Sequence, residues 1–249
     1  MRVNSGPRAE GVESRAHKPV IALMAKAPIP GAAKTRLAAL LGEHGAAEIY
    51  RHFLEDTLAV ARQVPDASTC IVCPNEMHRQ VLIELMPDDV DVMAQRDPGL
   101  MAGLAWSFTT LFQAGASKVL LIDADSPTLP TSVLVQAFEI LESVDVCLGP
   151  CPDGGYYLIG ARRDCPGLFD GVAASTAGTF EQTMARARDL GLSTGLLPFW
   201  FDVDTEDDFR LFLAHLNERD GAPSTRAWLA RAGWIEQPSS RSDRVYVSE

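Results

Sequence analysis

The sequence lacks any apolar run approaching the ~20 residues needed to cross a bilayer, any low-complexity block and any internal repeat. Positive charge is scarce: 22 Lys and Arg stand against 33 Asp and Glu, a net charge of −11. That balance argues against nucleic acid and anionic membrane as main partners. It leaves an anionic small substrate possible, because a metal and a few local cations can reverse the field inside one cleft. The stretch Met1 to Lys18 is polar and lacks the apolar core of a secretion signal. Cysteine is sparse and odd in number: with five (Cys70, Cys73, Cys147, Cys151, Cys165), at least one has no partner within the chain. Cys70-Ile71-Val72-Cys73 has C-x-x-C spacing, but it sits in an apolar strand-like run with no second pair or nearby histidine to complete a metal set. Buried thiols in a reducing compartment are the simpler reading, and a cytoplasmic protein is expected. None of the five histidines (His17, His44, His52, His78, His215) has metal spacing or a serine-and-acid context, so helix-surface positions are expected and no role is assigned.

What is present fits one large α/β domain. The 249 residues are 47% hydrophobic and 22% charged, enough to bury a core without disulfides. Short apolar runs at 19–24, 70–73, 90–93, 118–122, 144–148 and 156–159 read as buried strands, with one or two more between 192 and 203. Amphipathic segments alternate with them: from about Lys34, then 45–63, a segment capped by Asn75 and reaching Met86, 100–114, 130–142, 180–190, 205–216 and 225–234. The alternation predicts a three-layer α/β/α sandwich with a mostly parallel sheet over residues 19–235. Residues 1–18 are expected to be a disordered lead-in and 236–249 a polar tail. Ligands of such folds sit beyond the carboxyl ends of the strands, so motifs at those ends are the candidates.

Three motifs meet that test. The first is Pro28-Ile29-Pro30-Gly31-Ala32-Ala33-Lys34-Thr35-Arg36-Leu37. Gly31 permits close backbone approach to a phosphate, a following helix start offers N–H groups, and Lys34 and Arg36 add charge. It is not a Walker loop, since Ala33 stands where that motif needs the glycine before its lysine. The second is Leu121-Ile122-Asp123-Ala124-Asp125-Ser126. Two desolvated carboxylates at a strand end are costly without a cation, and Mg²⁺ or Mn²⁺ is the natural one, bridging to substrate phosphates. Helix capping is the competing explanation. The third, Phe201-Asp202-Val203-Asp204-Thr205, repeats the acid-x-acid pattern after a second apolar run. Here Thr205 with Asp208 also reads as a capping box. Between them, Asp153-Gly154-Gly155-Tyr156 reads as a tight turn into a strand, or as flexible backbone beside a sugar or acceptor, with Asp153 accepting from a hydroxyl.

Together, Met24-Ala25-Lys26-Ala27-Pro28 with Gly31 and Lys34 to Leu37, then Asp125-Ser126-Pro127, Leu148-Gly149-Pro150, Asp153 to Gly160 and Asp202 to Thr205 resemble the bacterial glycosyltransferase-A-like (GT-A) family, often described as nucleotide-diphospho-sugar transferases. More distantly they are similar to 2-phospho-lactate and molybdenum-cofactor guanylyltransferases. The likeness runs from about Val20 to Leu216. It implies a nucleotide-diphospho-sugar transferase fold in which Gly31, Lys34 and Arg36 hold nucleotide phosphates. By the same likeness Asp125 is the main metal ligand and a catalytic residue, Asp202 or Asp204 is the second acidic contributor, and Asp153, Gly154, Gly155 and Tyr156 face the transferred or accepting group. Asp123 joins the expected metal set from its strand-end position alone. The chain departs from the family pattern in two places. Asp123 and Ala124 replace a Gly-Ser/Thr pair, and Gly99-Leu100-Met101-Ala102-Gly103 replaces a Gly-Glu-Arg-like run.

The reading that follows is a Mg²⁺- or Mn²⁺-dependent transferase taking a nucleotide-sugar and a small-molecule acceptor. The alternatives are a nucleotidyltransferase, guanylyltransferase-like, acting on a phosphorylated small molecule, and a catalytically silent nucleotide-binding protein. A haloacid-dehalogenase-type phosphatase with Asp123 as nucleophile fits less well, because that motif ends the first strand of its domain and here at least three strands precede it.

Overall fold

The structure is a computed structural model describing residues 18–236. The remainder, with His17 and nearly all of the two terminal segments set apart above, lies outside the described residues.

The elements run β1 (Val20–Met24), α1 (Ala38–Ala61), β2 (Ser68–Cys73), α2 (Glu76–Leu85), β3 (Asp91–Ala94), α3 (Leu100–Gln113), β4 (Val119–Asp123), α4 (Thr131–Ile140), β5 (Val146–Pro150), β6 (Tyr156–Ala161), α5 (Thr179–Asp189), β7 (Thr194–Leu196), α6 (Glu206–Glu218) and α7 (Pro223–Arg231). The strands form one sheet in the order β3-β2-β1-β4-β6-β5-β7. All run parallel except β6, which pairs antiparallel with β4 and β5.

The strands are apolar on both faces because helices cover both. Alternate residues divide between two cores. Ile21, Leu23, Ile71, Leu120 and Ile122 pack with α1, α2, α4, α6 and α7. Val20, Ala22, Val72, Val119 and Leu121 pack with α3 and α5. The result is the three-layer sandwich that the alternating pattern predicts.

The chain proceeds outward from β1 to β2 and β3, then returns to place β4 on the other side of β1. The crevice between the carboxyl ends of β1 and β4 is therefore the topological switch point of the sheet. There Met24 is the register partner of Asp123.

Two expected elements differ. No helix begins near Lys34: residues 30–37 form turns, and Lys34 takes a left-handed backbone (φ 48°). α1 starts at Ala38 and is broken at Gly42 (φ 71°, ψ 163°), which accounts for a helical pattern beginning afresh near Gly45. Nor do Asp202 and Asp204 end a strand. β7 stops at Leu196, and Pro198, with no N–H to donate, closes off any ladder. The strap from 197 to 204 is pinned by single bonds instead: Leu197 N to Leu148 O (2.9 Å), Trp200 N to Pro150 O (3.2 Å) and Val203 N to Asp125 O (3.0 Å).

Candidate active site

The loops after β1, β2, β3, β4 and β5, together with the strap, enclose a cleft of two joined lobes at the carboxyl ends of the strands. One lobe, about 550 Å³, lies over β1 to β3 and is lined by residues 24–26, 32–36, Tyr50, Pro74, Gln95 and Leu100. The other, about 410 Å³, lies toward β4 to β6 and is lined by Met101, Asp123, Cys151, Asp153, Gly155, Tyr156 and Asp202. Asp125, Asp204, Arg36 and Ser175 line both.

Lys34 lines the first lobe and contacts two of the acids that line both. Its side chain is only 4% exposed, and its ammonium lies 2.8 Å from Asp125 Oδ2 and 3.2 Å from Asp204 Oδ1. Burial opposes the charged form, but the carboxylates of Asp125 and Asp204 outweigh it and the ammonium pKa is raised. Arg36 Nη1 donates to Asp204 Oδ2 at 2.7 Å. The two acids expected from separate parts of the sequence thus share one cation.

Asp123 and Asp202 do not join that cluster. Asp123 folds back on its own loop, where Oδ2 accepts from Ser126 Oγ (3.0 Å) and Oδ1 from Asp125 N (3.3 Å). Burial and the charges of Asp125 and Asp202 push its carboxyl well above the usual range. Burial likewise raises Asp202, to about 6, with Lys34 opposing and Asp125 adding to the rise. Among the described residues, no three His, Cys, Asp or Glu side chains are gathered closely enough to hold a metal ion alone. Of the four acids read from the sequence as a metal set, Asp125 and Asp204 converge on Lys34, while Asp123 and Asp202 lie near enough to Asp125 for its charge to raise their pKa values.

The glycines differ from expectation too. Gly31 (φ 75°) does not line the cleft; a Cβ there would meet the Glu43 carboxylate at 3.4 Å. Gly154 (φ 88°) is pressed against the 173–178 loop: an added Cβ would lie 2.1 Å from the Ala177 carbonyl oxygen, and Gly154 O accepts from Phe180 N (2.9 Å). It seats that loop. Gly155 and Tyr156 do line the second lobe, and Asp153 Oδ1 accepts from Gly155 N at 2.8 Å.

The sequence reading missed several lining and supporting residues. Ser175 (φ 55°) reaches both lobes from a loop without a motif; its one signal is the Ser175-Thr176-x-x-Thr179 spacing, in which Thr179 Oγ1 accepts from Thr176 N (3.1 Å). His78 is buried rather than on a surface, and its Nδ1 accepts from Ala27 N at 2.9 Å, which fixes the loop after β1. Burial and nearby Lys26 lower its pKa, keeping the ring neutral for that bond. Tyr50 Oη accepts from Lys26 N (3.1 Å) and holds the same loop. Leu100 and Met101, which stand in place of a charged pair, put apolar side chains on the wall. All five cysteines are buried. Burial pushes the Cys73 thiol up to about 11, the opposite of what a reactive C-x-x-C site requires.

A parallel sheet with one reversed strand, a switch-point crevice and acids facing a lysine there define a GT-A-like nucleotidyl- or sugar-transferase fold. The sequence profile of the family described as "Uncharacterized protein conserved in bacteria (DUF2064)" matches residues 57–176. A Desulfovibrio desulfuricans protein with the proposed assignment of nucleotide-diphospho-sugar transferase is 29% identical, with a TM-score of 0.78 over 88% of this chain and 98% of its own. A nucleotidyl transferase from Methanothermobacter is 17% identical (TM-score 0.55; 81% of this chain, 98% of its own). A Mycobacterium tuberculosis protein in complex with manganese is 19% identical (TM-score 0.50; 80% and 99%). No curated protein sequence is significantly similar. Among the described residues, no helix is long and apolar enough to cross a membrane.

Proposed function

We propose that the chain is a metal-dependent transferase using a nucleotide-activated donor, with residues 19–235 acting as one domain and a nucleotide-sugar as the donor. The observation that carries the reading is the meeting of Asp125 and Asp204 at a single cation, Lys34, beside Arg36 in the switch-point cleft.

The donor set suits a hard divalent ion such as Mg²⁺ or Mn²⁺. The cluster offers carboxylate oxygens, and Asp125 Oδ1 is buried with no hydrogen-bond partner. Burial and neighbouring charge destabilise the ionised forms of Asp123 and Asp202. The lack of three converging acids fits ions of this kind, which use one or two carboxylates and complete their shell with water and substrate phosphates. Asp125 and Asp204 would hold the ion, with Asp202 and Asp123 behind them, and its chemistry would be to neutralise a diphosphate leaving group.

The chain's own residues do the remainder. Lys34 and Arg36 bind phosphate oxygens. Tyr50 and His78 keep the loop after β1 in place against the nucleotide lobe. Asp153 accepts the proton of an acceptor hydroxyl, while Tyr156 and Met101 orient the acceptor and exclude water.

The second lobe favours glycosyl over nucleotidyl transfer. Its own lining carries Asp123, Asp153 and Asp202, and its cations among the described residues, Lys26 and Arg36, are shared with the nucleotide lobe. An acceptor phosphate there would find no cation of its own, whereas a neutral hydroxylated acceptor with an apolar face needs none. Five buried cysteines suit a reducing cytoplasm.

Incubation with nucleoside triphosphates and with UDP- and GDP-sugars, each with Mn²⁺ and with panels of neutral and phosphorylated acceptors, tests the proposal. Release of nucleoside diphosphate from the sugar donors supports it. Release of pyrophosphate from the triphosphates would establish nucleotidyl transfer instead.

A further inference from the structure

We propose that Lys34 is a built-in occupant of the metal site, exchanged for the ion when a nucleotide arrives, so that the free protein binds divalent metal poorly and nucleotide and metal bind together. The proposal rests on the functional reading above and deepens it.

Three observations carry it. The Lys34 ammonium bridges the two carboxylates best placed to hold a metal, at 2.8 Å and 3.2 Å, with 4% of the side chain exposed. An ion between Asp125 and Asp204 would lie against that ammonium, and the two positive charges exclude each other. The backbone of Lys34 is left-handed (φ 48°), a conformation that disfavours residues other than glycine, asparagine and aspartate. Strain of that sort persists where the surroundings impose it. Here Leu37 N bonds to Lys34 O (2.9 Å), and the ammonium sits 5.9 Å from the centre of the Tyr50 ring.

Phosphates entering the nucleotide lobe provide a second anionic partner within the sweep of a four-carbon side chain. When the ammonium turns to them, the carboxylates are released to an arriving ion, and neither charge is left buried and unpaired. This also explains how Lys34 can be a phosphate ligand and yet lie on two acids. The exchange makes metal and nucleotide affinity rise together, and by linkage each ligand tightens the other by the same factor.

The test is Mn²⁺ titration of the full chain by electron paramagnetic resonance and calorimetry, without nucleotide, then with UDP or GDP. The wild type is expected to bind Mn²⁺ weakly alone and at least about tenfold more tightly with a nucleoside diphosphate. Lys34→Met is expected to bind Mn²⁺ alone about tenfold more tightly than wild type, the order of effect of removing a charge at this range, and to lose most of the nucleotide enhancement. Lys34→Gln, which keeps a donor for Asp125, gives the same comparison if the Met variant does not fold. Asp125→Asn in the Lys34→Met background is expected to return Mn²⁺ binding to the weak level. Unchanged or weaker Mn²⁺ affinity in both Lys34 variants, with Asp125→Asn still abolishing binding, would overturn the exchange and leave the metal reading intact. Mn²⁺ binding indifferent to Asp125→Asn would instead remove the metal reading.

Discussion

Gly149→Ala gives a sharp test of how the core sets the site. Gly149 lies in β5 beside Tyr157 of β6, and a Cβ on Gly149 would fall 2.2 Å from Tyr157 Cζ, 2.5 Å from Cε1 and 2.6 Å from Oη. The ring is 1% exposed, and its hydroxyl donates to Pro198 O at 2.9 Å. An added Cβ at these separations cannot coexist with the ring where it stands, so accommodation requires displacing it and breaking that bond. Overpacking of this kind costs about 1–3 kcal/mol, and the lost hydrogen bond about 1 kcal/mol more. A total of about 3 kcal/mol corresponds to a melting temperature lower by about 6–12 °C for a chain of this size. Pro198 belongs to the strap that carries Asp202 and Asp204, so the same substitution is expected to weaken Mn²⁺–nucleotide binding. Tyr157→Phe, which removes only the hydroxyl, is expected to cost about 1 kcal/mol. Thermal unfolding by circular dichroism gives the stability comparisons, and calorimetric titration the binding one. A Gly149→Ala protein melting within about 2 °C of wild type would refute the argument, because the predicted clash amounts to several degrees on the same scale.

Other expectations follow from single clusters. Asp145 is nearly buried and accepts from Ser193 N and Oγ and from Arg162 and Arg163, so Asp145→Ala is expected to cost about 3 kcal/mol at neutral pH. The Ser193 backbone bond, opposed by burial and aided by the Ser193 hydroxyl and both arginines, holds this carboxyl well below its usual range. Its stabilisation is therefore complete above the unfolded value of about 4 and is lost as pH falls through the folded one. The gap between variant and wild type should narrow in acid melts, and a gap that widens would contradict the assignment. Thr205→Ala removes a capping box with Asp208 and should cost about 1 kcal/mol, read as a melting shift of a few degrees. Asp56 accepts from Ser224 N (2.9 Å), Thr225 N (2.8 Å) and Thr225 Oγ1 (2.6 Å), tying α7 to α1. Asp56→Ala should speed amide exchange across 223–231, and unchanged protection there would show that α7 is held by other contacts.

Much of the layer architecture could be read from local patterns. Strands buried on both faces are short apolar runs, and the Asn75 and Thr205 caps are signals confined to a few residues, so both were legible. Lys34, Arg36, Asp125 and Asp204 stood out because charged residues beside apolar runs are costly unless something meets them. What they meet was not legible. The Lys34 link to Asp204 spans 170 positions, and no local pattern reports such a separation. Gly31 and Gly154 carried a correct signal for unusual backbone, since both have positive φ, and what lies against them is the Glu43 side chain of α1 and the Ala177 backbone. Ser175 was missed because the 171–178 loop has no periodicity, and its place in the cleft depends on how Gly154 receives Ala177. The strap from 197 to 204 looked like strand because it is apolar and extended, yet its hydrogen bonds are single ties to β5 and to the loop after β4.

The central claim is that Asp125 and Asp204 hold one divalent ion beside Lys34 and Arg36. Crystals soaked with MnCl₂ and a nucleoside diphosphate, measured for manganese anomalous scattering, test it directly. The account predicts one strong peak within bonding distance of both carboxylates, with the Lys34 ammonium moved onto phosphate oxygen. Manganese bound elsewhere, or nucleotide in the cleft with no metal between those two acids, would contradict it.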